Sequence, residues 1–266
     1  MCNLYQMAPK GDVERYLSRL HLASDIEDHD SSRPVGPFGA GLFLREEGGQ
    51  MLGRVGQWGL IRPGQRTRID VVMPKISGSR KPPAPKARST NNARIEGIAQ
   101  KPTFAPAWTQ GRRCLVPAAW YAEPNWETGK NIWWHQRRAD GEPWFLAGLW
   151  SEWVDPHTGE CVPNYTVITC NCDGHPLLGR LHKPDPMLPP QAQDKRSLVQ
   201  IEPSDWQRWL HGSTEEAMAL IQPAPADVFD HSDAQATDAL LAAAVAFAAA
   251  EPPSAPEAGP VNGELF

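Results

Sequence analysis

Apolar residues recur in short runs separated by turn residues along most of the chain, which is typical of a β-rich core. Residues 41–45 and 50–55 flank a Glu-Glu-Gly-Gly turn and predict a hairpin. Further strands are predicted at residues 114–117, 144–150, 165–169 and 197–201. We therefore expect a core made mainly of β-strands.

Helical periodicity is confined to short segments. Apolar positions three and four residues apart predict helices over residues 12–20 and 204–210. Ser213 and Glu216 form a capping-box motif that opens a further helix. Because these segments are short, we expect the helices to lie at the periphery of the β core.

The end of the chain differs in composition from the rest. After residue 228, Ala, Asp and Pro dominate, and residues 234–250 predict at most a marginal helix. We expect a main domain over residues 2–228 and an Ala/Pro-rich, partly disordered tail over residues 229–266.

Basic residues are concentrated in the first half of the chain. Residues 62–89 are rich in Pro, Gly, Ser and basic residues and predict a long exposed loop. The chain of 266 residues has a net charge of −5, yet residues 54–113 hold thirteen Lys and Arg against two acidic residues, a net +11. This asymmetry indicates an anionic partner for one face, although a basic loop without a partner would have the same composition.

Composition excludes several classes of protein. A chain that is 41% hydrophobic and 21% charged suits a soluble globular protein, and the sequence has no apolar run of membrane-spanning length and no signal-peptide pattern. Five cysteines without an export signal predict reduced thiols and a cytoplasmic location. Glycine-rich nucleotide motifs and serine-hydrolase motifs are missing from the sequence, so we expect no nucleotide cofactor.

A zinc site is the main alternative use of the cysteines. Soft ligands are available at Cys170, Cys172, Cys161, His157 and His175. Their spacing does not form a pair of C-x₂-C hooks, and the two closest cysteines fall at the end of a predicted strand. We therefore expect no metal.

The second residue carries the most distinctive chemistry. Cys2 is small, so an aminopeptidase is expected to remove Met1 and leave a free α-amine beside a free thiol. Such a 1,2-aminothiol condenses with an aldehyde to a thiazolidine, which an internal cysteine cannot do. An α-amine titrates near ~8, against ~10.4 for lysine, so a useful fraction is an unprotonated nucleophile at neutral pH. The alternative is an ordinary residue that happens to follow the initiator.

Three other places offer chemistry. The string from Asn91 to Glu96 contains amides, a guanidinium and a carboxylate, which can orient a phosphate or sugar or form a structural hydrogen-bond network. Glu123 lies among aromatic residues, where burial would raise its pKa to suit a general acid or base, unless it is an exposed turn residue. His182 is a candidate proton shuttle or a structural histidine.

Taken in order along the chain, these residues resemble the SOS-response-associated peptidase (SRAP) family, also described as abasic-site processing proteins. Trp58-Gly59-Leu60-Ile61 and the threonine at position 169 match further family positions, and residues 194–197 resume the string that His182 begins. The resemblance covers about residues 2–201. Its main motifs are the N-terminal Met-Cys, Asn92-Ala93-Arg94-Ile95-Glu96, the Cys114-Leu115-Val116-Pro117-Ala118 string that leads to Glu123, and His182.

The resemblance implies an α+β fold with a mostly antiparallel, curved or barrel-like β core, short peripheral helices and a central cleft for single-stranded DNA. It implies that Cys2, freed of Met1, attacks the aldehyde of an abasic site and forms a thiazolidine crosslink. By the same analogy, Asn92 would position the aminothiol and the sugar. Glu123 would assist proton transfer, and His182 would assist ring opening and reversal.

DNA contacts are implied in the same way. Arg94 and Arg196 would contact phosphates, and Trp58 and Thr169 would complete the DNA-binding surface. The implied partner is single-stranded DNA with abasic sites, bound by a monomer without metal or nucleotide cofactor, in the cytoplasm at the nucleoid. The main domain over residues 2–228 would then be the catalytic domain.

The chain departs from the family pattern in its DNA-contacting positions. Leu4 replaces the family's arginine, Asn3 replaces its glycine, and a proline-rich insertion follows His182. The C-terminal Trp-x-Pro-Val-Ser string of the family is missing from the sequence. Two alternative functions stay open: a single-stranded DNA-binding module that forms no crosslink, and a thiol peptidase or autopeptidase.

Overall fold

Strands dominate the computed structural model, which describes residues 2–73 and 84–250. The strands are β1 (Tyr5–Met7), β2 (Ser24–Ile26), β3 (Ala40–Glu47), β4 (Gln50–Trp58), β5 (Val71–Val72), β6 (Lys86–Ala87), β7 (Asn92–Arg94), β8 (Arg113–Asn125), β9 (Ile132–Gln136), β10 (Trp144–Val154), β11 (Cys161–Asn171) and β12 (Arg196–Leu198). The helices are α1 (Lys10–Arg19), α2 (Ala105–Thr109), α3 (Trp206–His211), α4 (Thr214–Met218) and α5 (Ser232–Ala250). Single 3₁₀ turns lie at Ile95–Gly97, Leu178–Arg180, Pro203–Asp205 and Ala226–Val228.

Five strands close into a barrel in the order β11, β10, β8, β3 and β4. Neighbours along this path are antiparallel, and the predicted hairpin is confirmed as β3 and β4. A short parallel contact closes the barrel by pairing Gln57 with Asn164 and Trp58 with Tyr165. The expected α+β class, with a mostly antiparallel barrel-like core and short peripheral helices, is confirmed.

Aromatic side chains fill much of the core. The fully buried tryptophans are Trp58, Trp108, Trp134, Trp144 and Trp209. Since burying a large aromatic side chain contributes strongly to stability, the high tryptophan content of the chain mainly serves core packing.

The N-terminal strand is locked onto the barrel. Strand β1 pairs with β8 through Tyr5 and Tyr121, and the Tyr5 hydroxyl makes a short hydrogen bond with the Tyr165 hydroxyl. Gly41 of β3 leaves the space that these two hydroxyls occupy, since a Cβ there would collide with both. The residues that precede Tyr5 are therefore held at a defined place on the barrel.

Three further strands converge on the same region. Strand β8 is thirteen residues long, and its last third pairs with β9, which places Glu123 opposite Trp134. Strand β7 pairs with β11 in parallel, with Asn92 opposite Val167, and β12 pairs with β11 on the same stretch, with Leu198 opposite Thr169. These non-local pairings bring distant parts of the sequence to the N-terminus.

The helices confirm part of the sequence reading. Ser213 caps α4 as predicted, with Ser213 Oγ accepting from the Glu216 amide and the Glu216 carboxylate accepting from the Ser213 amide. Residues just after the predicted domain boundary pack on the domain, because Phe229 is buried and the indole of Trp134 donates to the hydroxyl of Thr237 at 2.9 Å. The boundary at residue 228 therefore lies within packed structure.

The predicted loop of residues 62–89 is partly outside the described residues, which omit 74–83. Its described flanks pair as β5 and β6, and Arg68 Nε donates to the side-chain oxygen of Gln57 at 2.8 Å. In the described ranges, no helix has both the length and the apolar character needed to cross a membrane.

Candidate active site

The main chain at Cys2 is clamped by two neighbouring amides. Asn92 Nδ2 donates to the Cys2 carbonyl at 2.6 Å, and Asn91 Nδ2 approaches the same oxygen at 3.3 Å. Asn91 also donates to the side-chain oxygen of Asn3 at 3.2 Å. The indole of Trp58 donates to the Asn91 carbonyl at 2.8 Å, which ties the clamp to the strand that closes the barrel.

The Cys2 thiol is fully buried beside a carboxyl group. Cys2 Sγ donates to the Leu4 carbonyl at 3.3 Å. Burial raises the pKa of the thiol well above its usual value, and negative charge at Glu123 raises this pKa further. The thiol is therefore protonated at neutral pH, and its use as a nucleophile requires a nearby proton acceptor.

Glu123 fits that requirement. Its side chain is 2% exposed, near the end of β8. Burial raises the pKa of Glu123 from 4.5 to about 7, because the charged form loses hydration. At neutral pH the carboxyl therefore exists in both protonation states, which suits a group that accepts a proton in one step and returns it in another.

His182 lies against this carboxyl group. Its main chain has a positive φ of 62° and donates to the Pro124 carbonyl at 2.6 Å, which fixes the ring beside the end of β8. The ring Nε2 lies 3.1 Å from the Arg196 carbonyl, and Nδ1 lies 3.5 Å from Glu123 Oε2. Because a carbonyl oxygen only accepts, Nε2 carries the ring proton and Nδ1 presents a lone pair to Glu123.

The protonation states of Glu123 and His182 are compatible with each other. Burial lowers the pKa of His182 to about 4, so the ring is neutral at pH 7. An ionised Glu123 facing the Nδ1 lone pair would be repelled, whereas a protonated Glu123 would not be, since Nδ1 and Glu123 Oε2 lie 3.5 Å apart. The tautomer of His182 and the raised pKa of Glu123 therefore support each other.

Lys195 secures the segment that carries His182. Its ammonium group is buried and donates to the carbonyls of Leu181 and His182, the latter at 2.6 Å. Burial lowers the pKa of Lys195. The Asp173 carboxylate accepts hydrogen bonds from the main-chain N–H groups of both Asp194 and Lys195. These bonds fix the two residues that precede β12. Sequence reasoning did not single out Lys195 as part of the site.

The profile of the SOS response associated peptidase (SRAP) family matches residues 1–236 of the chain. The chain belongs to this family.

A curated relative and two solved structures are also similar to this chain. Among curated proteins, the abasic site processing protein HMCES of Pongo abelii is 25% identical over 249 residues, which cover 84% of this chain and 58% of that protein. The chain thus spans less than two thirds of this relative's length. A Bordetella bronchiseptica protein of solved structure is 28% identical with a TM-score of 0.68, covering 86% of this chain and 97% of that one. A Bacteroides thetaiotaomicron protein shares the fold at 20% identity with a TM-score of 0.63, covering 86% and 90%.

The structure brings together the four catalytic candidates of this SRAP chain. Asn92 contacts Cys2 directly, His182 contacts Glu123, and the charge of Glu123 acts on the Cys2 thiol. Sequence reasoning missed the contact of Asn91 with Cys2, although Asn91 begins the string that contains Asn92. The doubled asparagine was the available signal.

The four DNA-contact candidates are placed differently. Trp58 is 0% and Thr169 is 1% exposed, so both side chains lie beneath the surface of this structure, and their role in DNA binding stays a prediction. Trp58 is buried because it lies where β4 closes the barrel, and Thr169 because β11 is flanked by β7 and β12. Both residues hold other site residues in place: Trp58 donates to the Asn91 carbonyl, and the Thr169 carbonyl accepts from Arg196.

The two arginines are paired with carboxylates. Arg196 is 4% exposed and donates to both carboxylate oxygens of Glu96 at 2.8 and 2.6 Å. Arg94 has a side chain that is 39% exposed and donates to Asp194 at 2.6 Å. A phosphate reaching either arginine must compete with a carboxylate, and Arg94 is the more accessible of the two.

The alternative metal site gains no support from geometry. Throughout residues 2–73 and 84–250, His, Cys, Asp and Glu side chains do not gather in groups of three that could hold a metal ion. Cys170 and Cys172 are buried free thiols, whereas Cys161 is an exposed one.

Proposed function

We propose that this SRAP protein captures abasic sites in single-stranded DNA through Cys2, after removal of Met1, as part of a DNA damage response. The observation that carries the proposal is the clamp on Cys2 beside a carboxyl group whose pKa is raised to about 7. Membership of the SRAP family and the likeness to an abasic site processing protein support it.

The proposed reaction condenses an aldehyde with an aminothiol. The α-amine of Cys2 adds to the aldehyde carbon of the ring-opened abasic sugar, and loss of one water gives an imine. The thiol then adds across the C=N bond: sulfur bonds to carbon, and the thiol proton reaches nitrogen by way of a base. The product is a thiazolidine, and the step needs no oxidant or reductant.

Three side chains have suitable properties for this sequence. Glu123 can take a proton from the amine or the thiol and return it to the departing hydroxyl group, since its pKa is about 7. His182, neutral at pH 7, can hold the Glu123 proton in place. Asn92 Oδ1 is buried and makes no hydrogen bond among the described residues, so it is available to accept from the freed α-amine.

The first experiment combines intact mass with a denaturing gel. Mass spectrometry checks that Met1 is removed, and the protein is then incubated with an oligonucleotide that contains one abasic site. We expect a covalent band from the wild type and none from Cys2→Ala. The matched control is Cys161→Ala, which removes an exposed free thiol and should leave the band unchanged.

The outcomes separate this function from its rivals. Retained Met1 or binding without a covalent band would contradict the crosslinking mechanism and favour a simple DNA-binding module. Cleavage of a peptide in the absence of DNA, lost in Cys2→Ala, would favour a thiol peptidase. A band that persists in Cys2→Ala would move the nucleophile elsewhere.

A further inference from the structure

A cavity of about 530 Å³ opens beside His182, and the insertion that follows this histidine forms one of its walls. Trp126 and Arg180 also line this cavity. Lys195 and His182 line the cavity as well, and His182 also contacts Glu123. A volume of this size is in the range of small-molecule binding sites.

The insertion is braced although it lacks regular secondary structure. Gln193 is the brace: its Oε1 accepts the Asp185 amide at 2.7 Å, and its Nε2 donates to the carbonyls of Leu188 and Pro189 at 3.0 and 2.9 Å. The Asp185 carboxylate accepts the Met187 amide at 2.9 Å. Proline residues further restrict the backbone, so this wall is ordered before any ligand arrives.

The lining of the cavity suits a flat, uncharged group. Its apolar members are Trp126, Leu188 and the insertion prolines at positions 184, 186 and 190. The charged members are already engaged, because Glu127 accepts a two-pronged contact from Arg180 and the ammonium of Lys195 donates to carbonyls. A phosphate would find little unpaired positive charge inside.

Lys183, which is not one of the residues that line the cavity, supplies positive charge close to Trp126. The Lys183 ammonium lies over the Trp126 indole, 5.1 Å from its centroid, in a cation–π contact that leaves the other face of the ring for a base, and Lys183 is exposed. A nucleotide whose base enters the cavity could therefore keep its phosphate near Lys183. An aromatic platform with an adjacent cation is the common arrangement for sequence-tolerant binding of single strands.

We propose that this cavity receives the base of a nucleotide that flanks the abasic site. The inference rests on the proposed function, since His182 contacts both the cavity and Glu123, and the next nucleotide of a captured strand must leave the reaction centre past one of its sides. The base stacks on Trp126, and the braced insertion covers its other face. The chemical class of the ligand is a nucleobase of the same strand.

The test varies the DNA and the protein together. Crosslinking rates are measured on single strands in which the nucleotide on the 5′ side or the 3′ side of the abasic site is replaced by a tetrahydrofuran residue. This residue has neither a base nor an aldehyde. We expect one of the two changes to slow the wild type about tenfold, in line with base–aromatic stacking. On DNA that keeps both flanking bases, Trp126→Ala should crosslink more slowly by the same factor. Removal of the flanking base should then cause no further decrease in its rate.

Control variants keep the result interpretable. Trp133→Ala removes a tryptophan that is 51% exposed outside the cavity lining and should behave as wild type, and Trp126→Tyr should restore most of the base dependence. If Trp126→Ala fails to fold, Gln193→Ala releases the insertion and should reduce the base dependence instead.

Two failures have different meanings. If no variant or substrate gives a covalent product, the proposed function itself is wrong. If the wild type crosslinks at equal rates with and without either flanking base, the function stands and the base-binding cavity is refuted.

Discussion

Two regions of the molecule differ in what determines the state of their charged groups. One is the proposed reaction centre at Cys2, Glu123 and His182, and the other is the arginine rim at Arg94 and Arg196. In the centre, burial moves the pKa of Glu123 up to about 7 and that of His182 down to about 4. In the rim, each arginine is held by a carboxylate, and Arg196 in turn lowers the pKa of Glu96. The properties of the centre suit proton transfer, whereas at the rim an incoming anion would have to replace a carboxylate.

This difference predicts which changes affect rate and which affect binding. A substitution in the centre should change the chemistry while leaving affinity for DNA in place. A substitution in the rim should do the reverse. Substitutions at single positions can test that separation, and the largest effect is expected at Glu123.

Glu123→Gln should slow crosslinking by about 10²- to 10⁴-fold, the usual contribution of a general acid or base. The wild-type rate should also vary with pH around 7, and the rate of the variant should lose that dependence. Single-turnover gels measure both. Affinity for DNA, measured in a Cys2→Ala background by fluorescence anisotropy, should be unchanged. Equal crosslinking rates in the two proteins would remove Glu123 from the mechanism.

The same substitution should stabilise the fold at neutral pH. The pKa of Glu123 is about 7 in the folded protein and 4.5 ordinarily, so its ionisation costs stability as pH rises from 4.5 to 7. This cost reaches about 3 kcal/mol above pH 7. Glu123→Gln should therefore be more stable than wild type at pH 8 by roughly that amount and gain nothing at pH 4.5. Urea titrations at the two pH values measure the difference, and a gain that is the same at both would contradict it.

Local patterns in the sequence singled out residues that the structure places together, because these residues lie in short strings, and their catalytic roles stay predictions. Asn92, Glu123 and His182 each fall in or beside a recognisable motif, and the apolar runs around them formed strands as expected. The capping box at Ser213 was predictable for the same reason, since both of its partners lie within four residues.

Non-local contacts set the limit of prediction. Arg196 is buried because it meets Glu96, one hundred positions earlier in the chain, and Trp58 is buried because β4 closes the barrel against β11. Lys195 belongs to the site because its side chain reaches across the insertion to the carbonyl of His182. Such pairings follow from topology, which residue spacing alone does not determine.

Lys195→Met tests whether the centre depends on the position of His182. Methionine keeps the length of the side chain but removes the donors to the carbonyls of Leu181 and His182, so we expect crosslinking to slow about tenfold. Lys130→Met, which changes an exposed lysine in the turn between β8 and β9, is the matched control for loss of charge.

A double-variant comparison separates positioning from general destabilisation. If Lys195 acts through His182, adding Lys195→Met to His182→Gln should slow the reaction no further. Additive losses, or a loss explained by a lower melting temperature alone, would show that Lys195 has only a structural role.

The smallest effects are expected at the rim, where two substitutions should act in opposite directions. Arg94→Gln should weaken binding of intact single-stranded DNA a few-fold and reduce the salt slope by about 0.7, the value for one phosphate contact on a single strand. Asp194→Asn should strengthen binding, because it releases Arg94 from its 2.6 Å contact, and asparagine tolerates the positive φ of 53° at this position. Anisotropy titrations at several salt concentrations measure both. Crosslinking rates at saturating DNA should stay at the wild-type value in each variant, and a fall in either would mean that the rim and the centre are coupled.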